Sequence, residues 1–204
     1  MTELSATQQT GLRERKKART RASIREHALR LFREQGYQAT TVEQIAAAAE
    51  VSPSTFFRYF PTKEDVVLQD DMDVRMFEAL GRQPSGMAPI PAIRAAMREA
   101  LATLTPADWE QLRETTTMTM TVPEVRARSL DEFMRTIQAM SEVLAKRAGR
   151  RPDDVAVRTL VGAVFGVITA ISVPYTEWSM GEIGEDWFRR IDEGLALLEA
   201  GLPL

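Results

Sequence analysis

The chain has no cysteine and one histidine, His27, among its 204 residues. Disulfides, thiolate nucleophiles and soft metal sites are thereby excluded, and a lone imidazole builds no metal centre by itself. Glycine-rich phosphate loops and nucleophile-elbow patterns are missing too. Asp70, Asp71 and Asp73 are close in sequence, but positions one, two and three apart on a helix do not converge as ligands. No catalytic residue, metal or cofactor is expected, and His27 reads as a surface or phosphate-side residue of a basic segment. No stretch alternates with a period of two, so strands are not expected either.

Long hydrophobic runs are scarce. The longest, Leu160 to Val173, is interrupted by Gly162, Gly166 and Thr169 and reads as too short to span a bilayer. Residues 1–10 lack the basic and apolar regions of a signal peptide. No membrane partner is expected, and a chain of this length can bury roughly 70% of its unfolded surface without staples.

Positive charge is lacking overall, with a formal net charge of -3, yet it is unevenly spread. Residues 1–64 carry 11 Lys/Arg against 7 Asp/Glu, whereas residues 65–204 carry 15 against 22. Within residues 11–33 there are 9 basic and 2 acidic side chains, a segment able to follow a phosphate backbone. From Arg13 the run Arg-Glu-Arg-Lys-Lys-Ala-Arg-Thr-Arg, which includes Arg19 and Arg21, either enters a minor groove, coats phosphates, or is a solvated charge run. Residues 1–12 are polar and aperiodic and read as a mobile arm.

Behind the basic helix, residues 40–63 read as two short helices joined by a tight turn. Thr41 can cap the first, with Gln44 at capping-box spacing, and Val42, Ile45, Ala46 and Ala49 form one apolar face. Ser52 and Pro53 supply an N-cap and a first helical position for the second. Pro61 ends that helix early, and Thr62 opens another with Lys63, Glu64 and Asp65. Phe56 and Phe60, four apart, take its buried side, which leaves Ser54, Thr55, Phe57, Arg58 and Tyr59 outward or at the margin. Such an arrangement docks on a DNA duplex.

At these residues the chain resembles the TetR family of bacterial transcriptional regulators. The first helix ends in Leu31-Phe32 and Gly36-Tyr37, a threonine-rich cap and alanine-rich helix follow, and Ser54-Thr55-Phe56-Phe57-Arg58-Tyr59-Phe60-Pro61-Thr62-Lys63 has the form of the recognition helix; residues 13–68 follow the family pattern nearly throughout. One departure is Phe57, which stands where the family usually has a tyrosine whose hydroxyl touches a phosphate. The expected DNA-facing set is Arg19, Arg21, Thr41, Ser52, Pro53, Ser54, Thr55, Phe57, Arg58, Tyr59 and Lys63. Thr41, Ser52, Tyr59 and Lys63 are expected on phosphates and Ser54, Thr55 and Arg58 on base edges.

The rest reads as helices near 63–80, 90–104, 106–120, 123–149, 152–174 and 184–201, giving an all-α fold of about nine helices. The expected division is an arm over 1–12, a helix-turn-helix domain over 13–62, and a helical ligand-binding and dimerisation domain over 63–204. The helix after Asp153 is apolar nearly all round and must be buried on every side. Its small residues Gly162, Gly166 and Ala170, with Val161 and Phe165, and Trp187, Phe188, Ile191, Leu195 and Leu198 of the last helix, form the expected homodimer interface, as the resemblance implies.

Methionines suit a pocket for a greasy guest and serve equally well as core filler. The expected ligand-facing residues are Met72, Met76, Met97, Leu101, Trp109, Arg113, Thr117, Met118, Phe133, Ile137, Phe165 and Thr169. Threonines interleaved with methionines after Arg113 would set hydroxyls in an apolar wall, and Arg113 receives an anionic head group or pairs with Glu110 or Glu114. Residues 123–178 also resemble a TetR subgroup associated with acyl-CoA-like ligands, which implies a small apolar or acyl-type effector. A ligand there would press on one stiff helix from Lys63 to Leu80. The reading is a cytoplasmic, nucleoid-associated operator-binding repressor released by a ligand. The alternatives are a helical small-molecule-binding protein and an architectural DNA-binding protein without an effector.

Overall fold

The computed structural model describes residues 3–69, 72–172 and 184–203; of α1, side chains are described from residue 13 onward, except that of residue 14. All regular structure among the described residues is α-helix, in two compact units, Met1–Gln69 and Asp70–Leu204.

Unit 1 begins with α1, Glu3–Gln35. The helical path therefore starts before Arg13, where an arm over residues 1–12 was expected. That stretch holds no proline and includes the good helix formers Leu4, Ala6, Gln8 and Gln9. Gly36, at φ +84, ends the helix in a conformation that costs a side-chain-bearing residue more. Next come α2 (Val42–Ala48), α3 (Pro53–Tyr59) and α4 (Lys63–Leu68), opened by the side chains of Thr41, Ser52 and Thr62. Between α2 and α3 the chain turns through Glu50 at φ 54, and the Val51 N–H donates to the Ala46 carbonyl at 2.9 Å. Ile24, Ala28, Ile45, Phe56, Phe60 and Val66 are sealed in the core. Phe56 and Phe60 lie 6.0 Å apart on the inward side of α3, as their spacing predicts.

α4 belongs with unit 1, so the boundary expected at 62/63 falls later, after Gln69. Arg25 Nε donates to the Val66 carbonyl at 3.2 Å and an Arg21 Nη to the Gln69 carbonyl at 3.2 Å, cations placed where the helix dipole is negative. Gln69 has φ -86 and ψ 85, outside the helical region. The single stiff helix expected from Lys63 to Leu80 is therefore two, with residues 70 and 71 outside the described residues. The sequence carries a local hint, since Asp70 and Asp71 are poor helix formers.

Unit 2 is α5 (Met72–Arg82), α6 (Pro89–Ala102), α7 (Pro106–Thr121), α8 (Pro123–Ala148), α9 (Val155–Ser172) and α10 (Glu185–Glu199). Proline stands at the start of α6, α7 and α8, where its missing N–H costs nothing. The split of the expected 63–80 helix makes ten helices among the described residues rather than nine; residues 173 and 174, expected to close α9, lie outside them. The core gathers Leu80, Ile93, Leu144, Val161, Ile191 and Leu195 from five helices. α9 is long and apolar enough by composition to cross a membrane, against the shorter run expected. Its Val157, Val161, Val164 and Phe165 are nevertheless buried in unit 2.

Candidate nucleic-acid interface and ligand cavity

The exposed side of α3 is built by its caps. Ser52 Oγ accepts from the Thr55 N–H at 3.1 Å and lies 2.9 Å from Ser54 Oγ and 3.0 Å from Thr55 Oγ1, so three hydroxyls cluster at the start of the helix. Pro53, Ser54, Phe57 and Arg58 are exposed, while Thr55 and Tyr59 are half-buried. Phe57 leans edge-on against Phe56 at 5.4 Å, and the Arg58 guanidinium stacks 5.4 Å from the Tyr59 ring centre. Thr41 exchanges two hydrogen bonds with Gln44, whose Oε1 also accepts from Gln35 Nε2 at 2.9 Å. Arg13, Arg15, Lys16, Lys17 and Arg19 are exposed on α1.

Two residues expected on phosphates or the groove make contacts that hold the unit together. Lys63 Nζ donates to the Tyr37 and Thr40 carbonyls at 2.9 and 3.0 Å and sits 4.0 Å from the centre of the Tyr37 ring. Arg21 reaches the end of α4 and stacks 5.2 Å from the Phe60 ring centre. Beside Lys63, burial pushes the Glu64 carboxyl up, but the Tyr37 hydroxyl, donating at 2.6 Å, helps bring it below its ordinary value. His27 lies on α1, its Nδ1 3.4 Å from an Arg30 Nη.

Within unit 2 a cavity of about 550 Å³ opens between α6, α7 and α10. Met97, Leu101 and Trp109, all expected ligand residues, line it with Leu104 and Phe188. Phe188 was expected at a dimer interface; it packs edge-on to Trp109 at 5.5 Å. The other expected ligand residues go elsewhere. Phe133 stacks edge-on to Phe165 at 5.2 Å, and Met72, Met76 and Ile137 pack against the core. The α7 threonines do not offer hydroxyls to a wall: Thr115, Thr116 and Thr119 return theirs to the carbonyls of Gln111, Leu112 and Thr115 at 3.0, 2.8 and 2.8 Å. Thr169 does the same to Phe165 at 2.7 Å, Thr117 is exposed, Met118 is half-buried, and Arg113 pairs with Glu110 at 3.1 Å.

The expected dimer residues divide by helix face. Val161, Ile191 and Leu195 are buried within the chain, as is most of Phe165, and Trp187 and Leu198 pack against the same core. Gly162, Gly166 and Ala170 form an exposed ladder on α9, and a methyl group at either glycine would meet nothing within 4 Å. The close approach of α9 to α10 uses Gly194 instead, where an added Cβ would lie 2.6 Å from Val167 Cγ1.

Residues 24–69 match the family described as bacterial regulatory proteins, tetR family, and residues 87–203 match the MftR C-terminal domain. The HTH-type transcriptional regulator TcmR of Streptomyces glaucescens is 34% identical over 195 residues, covering 92% of this chain and 81% of TcmR. The chain belongs to the TetR family. The HTH-type transcriptional repressor AcnR of Corynebacterium diphtheriae is 32% identical over 147 residues, covering 69% of this chain and 72% of AcnR. Among solved structures, Thermus thermophilus FadR, a TetR-family transcriptional repressor in complex with lauroyl-CoA, superposes with a TM-score of 0.57 at 27% identity, covering 90% of this chain and 95% of FadR.

As a TetR-family member the chain is a DNA-binding transcriptional regulator and not an enzyme. Arg98, Glu185, Arg189 and Asp192 on the cavity rim, and Gly194, are the residues that sequence reasoning missed. The rim offered one signal: Arg94 and Arg98 are a helical turn apart on α6. Which of them finds a carboxylate depends on α10, some hundred residues on.

Proposed function

We propose that this TetR-family chain is a homodimeric repressor that grips a roughly two-fold symmetric operator and is released by a small apolar or amphipathic ligand in unit 2. The observation that carries the reading is the uncovered ladder of Gly162, Gly166 and Ala170, which invites a second helix at close backbone distance. α9 is already half packed in its own unit, so the occupant of its other side is a second copy rather than lipid. One helix-turn-helix buries too little surface to hold DNA alone, and two copies meet grooves one helical turn, about 34 Å, apart. In this reading Ser54, Thr55 and Arg58 read base edges, and Thr41, Ser52, Tyr59 and the exposed cations of α1, Arg19 included, meet phosphates. Pro53 and Phe57 share that exposed face, with Arg58 and Tyr59 taking over the docking that a tyrosine at 57 supplies elsewhere. The working place is the chromosome in the cytoplasm.

The ligand half of the proposal draws on the cavity beside α10 and on the lauroyl-CoA bound by the similar FadR. A duplex selected from a random pool supplies the operator. Sedimentation at micromolar concentration is expected to give a dimer and anisotropy one dimer per palindromic site. A monomer that binds single half-sites with equal affinity would overturn the reading.

A further inference from the structure

α6 turns two arginines toward α10, Arg94 and Arg98, one helical turn apart. Arg94 takes both oxygens of Asp192 at 2.9 Å each and adds Glu199 at 3.0 Å. Asp192 is held below the usual carboxylate range by that guanidinium. Arg189, which also lines the cavity, is engaged by Asp186 and Glu193. Arg98 makes no hydrogen bond or ion pair among the described residues, although its field helps keep Asp192, already held by Arg94, ionised. The cavity floor beside it, Met97, Leu101, Leu104, Trp109 and Phe188, is apolar and aromatic.

We infer that this cavity binds a monocarboxylate with an apolar body, the body on the floor and the carboxylate on the Arg98 guanidinium. The inference rests on the ligand-responsive reading above and names its ligand class. A guanidinium offers a planar fork that a carboxylate matches with two hydrogen bonds. An apolar cavity with a few polar groups at its mouth is the usual form of a small-molecule site, and its volume lies within the range of roughly 300–1,000 Å³ for such sites. Glu185 is the other rim charge with no ion pair among the described residues, but it stands in the first turn of α10, where the helix end itself favours an anion. Its charge repels a second carboxylate and so selects against dicarboxylates. The wall from Leu101 to Trp109 is tied to α5 by Arg75, which donates to Thr103 Oγ1 and to Asp108 Oδ1 at 3.3 Å each. A body that fills the cavity therefore acts on a turn fastened to the first helix of unit 2.

The test is calorimetric titration of the full chain with dodecanoate and 2-naphthoate, against dodecanol and 2-naphthalenemethanol, with dodecyltrimethylammonium as the cationic control. At least one carboxylate is expected to bind about tenfold more tightly than its alcohol, and the tighter of the two tells whether the body is aliphatic or aromatic. R98Q should erase that margin while leaving the alcohol unchanged, R98K should keep part of it, and E185Q should tighten carboxylate binding. Failure of both carboxylates to bind, an unchanged margin in R98Q, or preference for the cation overturns the inference. Operator anisotropy in parallel separates the two proposals. Arg98-dependent binding that leaves the operator bound keeps the site and sinks the release reading, whereas release by a compound indifferent to R98Q does the reverse.

Discussion

The two units anchor most of their cations differently, the Arg30–Glu34 pair of unit 1 aside. In unit 1 Arg21, Arg25 and Lys63 donate to backbone carbonyls at the end of α4 and in the turn after α1. In unit 2 Arg75, Arg82, Arg94, Arg150 and Arg189 are paired with carboxylates, while Arg147 closes the end of α5 on the carbonyls of Leu80, Gln83 and Pro84. The positive excess of residues 1–64 therefore overstates what that unit offers a phosphate backbone. The cations turned outward are those between Arg13 and Arg19, Arg33 and Arg58. In the acidic unit, conversely, a cation left over is worth more attention than the sum, and Arg98 is the case in point.

Removing a carbonyl-bound cation from unit 1 should have the largest effect. Arg25 is 7% exposed, and Arg25→Met keeps the apolar stem while stripping the Val66 carbonyl of its donor. A buried hydrogen bond from a charged group contributes about 1.5–3 kcal/mol, so denaturant unfolding should show a loss of that size. Operator binding should fall only as far as the folded fraction does. Normal stability with lost operator affinity would make Arg25 a DNA contact and erase the contrast between the units.

Lys63 and Arg58 sharpen the same contrast from its two sides. Lys63→Ala leaves two carbonyls without their ammonium and should cost about 1–2 kcal/mol of stability, the lower end because the site is half-buried. Its plot of log affinity against log salt should keep its slope. A phosphate contact would instead lower the slope by about 0.9. Arg58→Ala should do the reverse: unfolding unchanged, and roughly 1–3 kcal/mol of preference lost at one operator position. Uniform weakening across sequences would move Arg58 onto the backbone.

What could be read from sequence was what is settled locally. Thr41 with Gln44, Ser52 with Pro53, and Phe56 with Phe60 each act within a turn or so, and helices α2 and α3 follow from them. The break after Leu68 was missed because the apolar pattern of Val66, Val67 and Met72 runs on past it. The α7 threonines misled for a related reason, since a hydroxyl near an apolar stripe can face a cavity or its own helix, and spacing does not distinguish them. The cavity on α10 was out of reach altogether: Arg94 meets Asp192 across 98 positions, and only that meeting leaves Arg98 over.

The Arg94–Asp192 pair gives a smaller effect with a defined sign. Because Arg94 depresses the Asp192 carboxyl, its folded value lies below the unfolded value of about 3.9. The stabilisation is then fully present above that unfolded value and is lost as pH falls through the folded one. The pair is partly exposed, so its contribution is at most about 1 kcal/mol. Asp192→Asn should flatten the acid limb of stability by that amount, with little change at neutral pH beyond the lost pairing. An unaltered acid limb would show that the pair is too well solvated to matter.

The smallest expected effect depends on protein concentration, and Gly162 and Gly166 supply it, with Gly194 as the contrast. At Gly194 an alanine methyl would stand 2.6 Å from Val167 Cγ1 and 3.1 Å from Ile171 Cδ1, so overpacking of about 1–3 kcal/mol opposes the roughly 1 kcal/mol by which alanine favours a helix. Gly194→Ala should therefore be neutral to destabilising at every concentration. At Gly162 and Gly166 the same methyl meets nothing within 4 Å in the chain, so only the helical gain of about 0.5–1 kcal/mol applies to the monomer. If a second copy packs its backbone there, the methyl also holds the two helices apart. Gly166→Ala should then unfold at higher denaturant than wild type when dilute, and lose that advantage, with weaker self-association in sedimentation, when concentrated. Stabilisation that persists unchanged into the dimeric range would mean that α9 meets its partner on another face.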